Sequence, residues 1–391
     1  YMVIWIDEVD KNQTDTGKYN ATIDFSSSNG TGVTSTVGEF NYMKNISADT
    51  FRSDDYREKI KNVSFVDYID TSNAVVQWDA SELGDNSIVA WLNNNSSDGY
   101  YDLYIGSKKE IYAKDLSKFF LNMTKVDSIS FDNLNTIQTI NMVNMFEKMG
   151  YDSTVLRLDL GNKFDTRNVT NMNAMFRDVG YNSSVFTLNL GDKFNTSNVV
   201  AMWAMFYAIG FESTVFTLDL GDKFDTSNVT IMDLMYNGCG YNSPVFTLDL
   251  GDKFDTSNVK SMFAMFHSVG YISDNFQLDL GDKFDTSNVT GMMNMFTYTG
   301  QKATNFSLKL GDKFDTSNVK SMTNMFFSTG NKNDNLVLDL SNLSFDSVTE
   351  YTNFINTKTT TTIYVKSEVE KNWILDKKFT GVNNDNIIVK K

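Results

Sequence analysis

Two hydrophobic rhythms follow each other between Val169 and Leu190. Val169, Met172, Phe176 and Val179 fall at i, i+3, i+7 and i+10, with Met175 alongside, which is the spacing of one helical face. Asp165-Thr166-Arg167-Asn168 stands before this run as N-cap material, and Gly180 follows it as a left-handed C-cap. The pattern predicts a helix of about three turns, too short to be stable unless packing holds it. Val185-Phe186-Thr187-Leu188-Asn189-Leu190 then alternates with period two, so Phe186, Leu188 and Leu190 share the buried face of a predicted strand. Gly191-Asp192-Lys193 turns the chain, and Phe194 returns to the core.

The unit recurs without insertion or deletion. Gly161, Gly191, Gly221, Gly251, Gly281 and Gly311 open six consecutive 30-residue segments, 161–340. A fixed period of this size marks a solenoid, in which each unit packs on its neighbours and the product is a long exposed face. Strands joined by helical crossovers predict a parallel sheet. Stacking turns repeated positions into ladders, here Phe164, Phe194, Phe224, Phe254, Phe284 and Phe314, and Asn168, Asn198, Asn228, Asn258, Asn288 and Asn318. The asparagines are placed to bond a neighbouring unit's backbone. The methionine pairs, from Met142/Met145 to Met322/Met325, read as flexible core fillers and not as cofactor or copper ligands.

The pattern decays at both ends. Unit 131–160 carries Leu134, Gln138 and Thr139 where other units have Phe, Asn and Val. After Leu340, Tyr351 and Phe354 replace the methionine pair. Thr361–Val365 then reads as a strand, Ser367–Leu375 as a helix carrying Val369, Trp373 and Leu375, and Asn386–Lys390 as a last strand. An open solenoid end exposes its core, so this region reads as a cap. Residues 1–125 lack the repeat. Tyr19–Phe25 and Val33–Val37 alternate like strands around Asn29-Gly30, Asp54–Lys61 reads as a short helix, and five short strands follow up to Tyr112. The expected organisation is a β-rich segment 1–50, a β-rich module or cap 51–126, a solenoid 127–345 and a C-terminal cap 346–391. The expected fold is an α/β solenoid of leucine-rich-repeat-like parallel β/α units.

Charge narrows the role. The chain has 391 residues and a net charge of −15, which disfavours nucleic acid and anionic membrane surfaces as partners. The single cysteine, Cys239, occupies the slot of Val179, Ile209 and Val269 and reads as a small buried hydrophobe. No run approaches the ~20 apolar residues of a membrane span. Tyr1-Met2-Val3-Ile4-Trp5-Ile6 reads as the middle of a strand, which suggests an excised ectodomain whose export signal and anchor lie elsewhere. The same segment, Met2, Val3, Ile4, Trp5 and Ile6, is the candidate assembly strand, since an exposed apolar strand can be donated to another copy.

Units differ at two slots. One reads Asn173, Trp203, Asp233, Phe263, Met293, Thr323, and the other Arg177, Tyr207, Asn237, His267, Thr297, Phe327. On a helix these are i, i+4 neighbours on one flank. Trp203, Tyr207, Phe263, His267 and Phe327 are therefore candidate partner-binding residues, with boundary packing as the alternative. The outward strand row reads Asp159, Asn189, Asp219, Asp249, Asp279, Lys309, Asp339. Stacked carboxylates repel, and calcium could bridge Asp219, Asp249 and Asp279 weakly, but no DxDxDG loop is present. The expectation is a solvated polar face with no metal and no cofactor. His267 is the only histidine, and with Cys239 it forms no triad, so no catalytic residue is expected.

The string Asp225-Thr226-Ser227-Asn228-Val229-Thr230, with Met232, Met235 and Leu248-Asp249-Leu250, resembles the BspA-like leucine-rich-repeat bacterial surface proteins. So do Phe284–Met292 with Met295-Phe296, the lead-in Phe51-Arg52-Ser53, Trp78-Asp79, Ala90-Trp91 and Tyr101–Gly106, and the closing Ile363-Tyr364-Val365, Trp373-Ile374-Leu375 and Ile387-Ile388-Val389. The resemblance spans about residues 50–391. Gly180-Tyr181-Asn182-Ser183 departs from it, filling a slot where that family has a small Cys or Ser cluster. The resemblance implies display at a bacterial cell surface, extracellular adhesion and no catalysis. The expected function is a secreted or surface adhesin that binds a host-matrix or cell-surface protein or glycan through the solenoid. The alternative is a subunit of a self-assembling surface fibre, its partner being copies of itself.

Overall fold

In the computed structural model, residues 22–25, 33–36, 40–44, 50–95 and 99–390 are described. They fall into two compact units, residues 1–40 and 41–391. The first contains an antiparallel hairpin, β1 (Thr22–Phe25) and β2 (Val33–Thr36), with Thr22 opposite Thr36. The candidate assembly strand Met2–Ile6 lies outside the described residues.

The second unit opens with β3 (Asn41–Met43), α1 (Asp54–Arg57), β4 (Ile60–Val66), β5 (Ala74–Asp79), β6 (Val89–Asn94), β7 (Tyr101–Gly106) and β8 (Ile111–Ala113). The repeat strands follow: β9 (Ser128–Ser130), β10 (Leu134–Asn135), β11 (Val155–Asp159), β12 (Val185–Asn189), β13 (Val215–Asp219), β14 (Val245–Asp249), β15 (Gln277–Asp279), β16 (Ser307–Lys309), β17 (Phe326–Phe327) and β18 (Val337–Asp339). One sheet runs β12-β11-β9-β4-β7-β6-β5, so the N-terminal module carries on the solenoid's strand layer and ends it with antiparallel β6 and β5. Within the repeats the pairing is parallel and in register: Val155 faces Val185, Val215 faces Val245 and Gln277 faces Ser307. The strand alternation follows the sequence, with Phe186 and Leu190 buried, Leu188 only partly buried against the core, and Val185, Thr187 and Asn189 exposed.

The crossovers are a correction to the expected α/β unit. Val169–Val179 is not a helix but a succession of tight turns. The N–H groups of Met172, Ala174, Phe176 and Asp178 donate to the carbonyls of Ala201, Trp203, Met205 and Tyr207 in the next unit at 2.7–3.1 Å. The N–H groups between them, those of Met175, Arg177 and Val179, reach back three residues within their own unit. Ala174, Asp178 and Gly180 take left-handed φ of 51°, 56° and 59°. The N–H at the Phe176 slot bonds the next unit without a break from Phe146 to Phe326, at 2.8–3.0 Å. Neighbouring strands lie ~4.8 Å apart, whereas a helix is about 10 Å across. Turns therefore stack at the strand spacing and helices do not. Gly180 is required here, because a Cβ would sit 2.7 Å from the Phe186 ring.

Both geometries bury the same residues. Val169, Met172, Met175, Phe176 and Val179 are buried, and the methionine pairs lie in one continuous core with the phenylalanines. The rings of Phe176, Phe206, Tyr236, Phe266, Phe296 and Phe326 stack at 5.4–5.7 Å, and those of Phe194, Phe224, Phe254, Phe284 and Phe314 at 6.1–6.4 Å. Each ladder asparagine donates through Nδ2 to a carbonyl of the preceding unit at 2.6–2.8 Å, as its repetition implies. A threonine ladder, Thr136 to Thr316, donates the other way, to the following unit, at 2.7–2.9 Å. The run expected to cap a helix thus clamps units together.

The C-terminal end is closed by β19 (Ile355–Asn356), β20 (Thr362–Val365), α2 (Glu368–Asp376) and β21 (Ile387–Val389). The Ser367 hydroxyl caps α2 by accepting the Val369 N–H at 3.1 Å. Trp373 lies flat on Phe345, 4.3 Å between centroids, and meets Tyr351 and Phe354 edge-on. Val369, expected on the apolar face, is 70% exposed, and Ile374 is the residue of α2 that is buried. Among the described residues no helix is long and apolar enough to cross a membrane.

Candidate interaction surface

The turn layer sets which side chains face out. In each unit one variable slot precedes the left-handed residue and the other follows three positions after it, so Trp203 and Tyr207 flank Ala204, and all of these slots but that of Thr297 are at least partly exposed. Trp203 and Phe263 are exposed, at 36% and 37%, while Tyr207, His267 and Phe327 are half-buried. The polar residue of the preceding unit anchors each exposed ring. Asn173 Oδ1 accepts the Trp203 N–H at 2.7 Å, and Asp233 Oδ1 accepts the Phe263 N–H at 2.8 Å.

Four of the five candidates fall in two clusters, and Phe263 belongs to neither. In the first, the Arg177 guanidinium lies over the rings of Trp203 and Tyr207, 5.9 and 5.2 Å from their centroids. Glu147 stands 3.9 Å and the Asp178 carboxyl 3.6 Å from it. Burial pushes the Asp178 carboxyl above its ordinary pKa despite the neighbouring Arg177 and Lys148. In the second, His267 meets Tyr298 edge-on at 5.7 Å and Tyr298 meets Phe327 at 5.5 Å. Burial holds the His267 imidazole below its ordinary pKa. Val200 and Ile231, in the same layer, add exposed apolar surface.

A third feature escapes the two-slot reading. Tyr151, Tyr181, Phe211, Tyr241 and Tyr271 form a half-buried row of nearly parallel rings, with successive centroids 4.7, 4.4, 4.5 and 4.4 Å apart. The Lys302 ammonium sits 5.1 Å from the Tyr271 centroid at the end of the row. The signal for it in the sequence is the recurring Gly-Tyr-x-Ser, noted there only as a departure from a family pattern.

The acidic row has local bonding. Asp219 and Asp249 each accept, through Oδ1, the N–H of the glycine two residues on at 2.9 Å. Asp279 does the same at 3.1 Å and also accepts from Lys309 Nζ at 3.0 Å, and that ammonium holds its carboxyl below its ordinary pKa. Among the described residues no group of three or more His, Cys, Asp or Glu side chains is arranged to hold a metal. Cys239 is a buried free thiol whose pKa burial raises well above the ordinary value.

These features define a repeat protein with a solenoid-like fold of in-register parallel strand pairs and an aromatic turn face. A family described as "Mycoplasma protein of unknown function, DUF285" matches residues 114–243, 209–339 and 243–367, which together cover well over half of the sequence. The chain belongs to that family. No curated protein and no solved structure matches it.

Proposed function

We propose that this protein is a non-catalytic adhesin, secreted or displayed at the cell surface, that binds a host-matrix or cell-surface protein or glycan through the turn layer of its solenoid. One observation carries the reading. The buried frame is nearly constant from unit to unit, while the outward slots change to Arg177, Trp203, Tyr207, Phe263 and His267. Aromatic and arginine side chains dominate binding hot spots, and a constant frame with variable aromatics is what a recognition surface needs. We read the repeat as a BspA-like leucine-rich unit whose helix has been replaced by turns, which fits both the repeated motif and membership of the matched family.

The test is a screen of immobilised matrix proteins and glycans, followed by Trp203→Ala with Tyr207→Ala. Loss of a hot spot costs about 2 kcal/mol or more, so affinity should fall roughly 30-fold or further. A folded double variant that binds every hit as tightly as the parent would overturn the proposal. The fibre-subunit alternative turns on Met2–Ile6, and concentration-dependent polymerisation in light scattering would favour it.

A further inference from the structure

The stacked row has a chemistry that does not depend on adhesion. Tyr151 and Tyr181 are cofacial, 4.7 Å apart and 8° from parallel, and Tyr241 and Tyr271 are cofacial at 4.4 Å and 9°. Phe211 separates the two pairs. All four tyrosines are half-buried, held in the stack yet partly open to solvent. We propose that the row is a site of oxidative cross-linking, in which Tyr151 couples to Tyr181 and Tyr241 to Tyr271 as dityrosine when the protein meets a one-electron oxidant.

The geometry suits the bond that must form. Each phenol gives up one electron and its hydroxyl proton, leaving a phenoxyl radical with spin on the ring carbons ortho to oxygen. That spin occupies orbitals perpendicular to the ring, so coupling proceeds most readily between faces. Two cofacial radicals join ortho carbon to ortho carbon. Each joined carbon then loses its hydrogen as a proton while each oxygen takes one up, which restores both phenols. The net change is loss of two hydrogen atoms per link, and persulfate accepts the two electrons to become two sulfates. The finished pair is edge-linked, so the rings must swing apart, which their partial exposure permits. A link joins residues 30 apart and so staples one unit to the next.

The fold supplies its own controls. Tyr42 and Tyr112 are 6.3 Å apart at 63°, and Tyr56 and Tyr101 are 5.9 Å apart at 68°. These tyrosine pairs meet edge to face and do not present coupling orbitals to each other. Phe211 has no phenol and cannot join the reaction.

The experiment uses the full chain at low concentration with a ruthenium photosensitiser and persulfate. It reads dityrosine fluorescence, linked peptides by mass spectrometry and solution mass. The expected result is a monomer linked 151–181 and 241–271, each link lighter by two hydrogens. Tyr181→Phe should remove the first link and Tyr271→Phe the second, and both keep the stack, since Phe211 already fills the same slot. The double variant should lose tenfold or more of the intramolecular dityrosine. Wild-type yield in the double variant, links at the edge-to-face pairs, or links only between chains would each overturn the proposal.

Discussion

Replacing Gly238 with alanine distinguishes a turn layer from a helical one by sign. Gly238 has φ +68°, and a Cβ there would meet nothing closer than 3.7 Å, from Ala208 and Phe211. Space is therefore available and the backbone alone decides. An L-residue held in the left-handed region costs about 1–2 kcal/mol, offset by about 0.4–1 kcal/mol because alanine restricts the unfolded chain. The variant should be less stable by about 0.5–1 kcal/mol. On a helix the same change would gain about 1 kcal/mol. Leu234→Asn should move the other way. Leu234 has φ 61°, asparagine tolerates that region, and Asn144, Asn294, Asn324 and Asn353 already occupy the slot in other units. Urea unfolding monitored by fluorescence measures both changes, with an unchanged slope showing that the unfolding reaction is the same. A Gly238→Ala protein more stable than the parent refutes the turn assignment.

Three further outcomes follow from the core and the slots. Tyr236 is the one tyrosine in a phenylalanine stack, and its hydroxyl is fully buried without a hydrogen-bond partner among the described residues, so Tyr236→Phe should stabilise by roughly 1–2 kcal/mol in the same titration. Asn258→Ala removes the 2.7 Å bond from its Nδ2 to Ser227 O and should cost about 0.5–1.5 kcal/mol, while Asn258→Asp, which keeps the shape but loses the donor, should not restore it. Burial lowers the His267 pKa from 6.5, so its neutral form belongs to the folded state. The stability this gives is complete above pH 6.5 and is lost as the pH falls from there through the lowered value, so melting curves between pH 7 and 5 should show a destabilisation that His267→Asn reduces.

How much of this was legible depends on which contacts repetition encodes. The strand face was readable because period two buries Phe186 and Leu190 whatever lies between the strands. The asparagine ladder was readable because an identical residue every 30 positions stacks on itself. The crossover is not legible in the same way, because burial at 169, 172, 176 and 179 satisfies a helical face and a string of turns equally. The discriminating residues were present. Gly238-Cys239-Gly240 is poor material for a helix interior, and asparagine recurs where a helix has no use for it. Those residues report backbone hand, which hydrophobic spacing does not.

The candidate surface was legible as a list of variable positions but not as a shape. Slots four apart look like one helix flank, yet the structure gathers them into an Arg177–Trp203–Tyr207 cluster and a His267–Tyr298–Phe327 string. The tyrosine row shows why. Gly-Tyr-x-Ser states that an aromatic recurs, but its contact distance is set by the stacking of the layer that carries it. On helices about 10 Å across, those rings would have stood too far apart to touch. On turns bonded at strand spacing they lie 4.4–4.7 Å apart. Replacing the helix by turns therefore does more than change the crossover. It packs the variable side chains of successive units into mutual contact, so a single substitution in a slot alters the surface of its neighbours as well as its own.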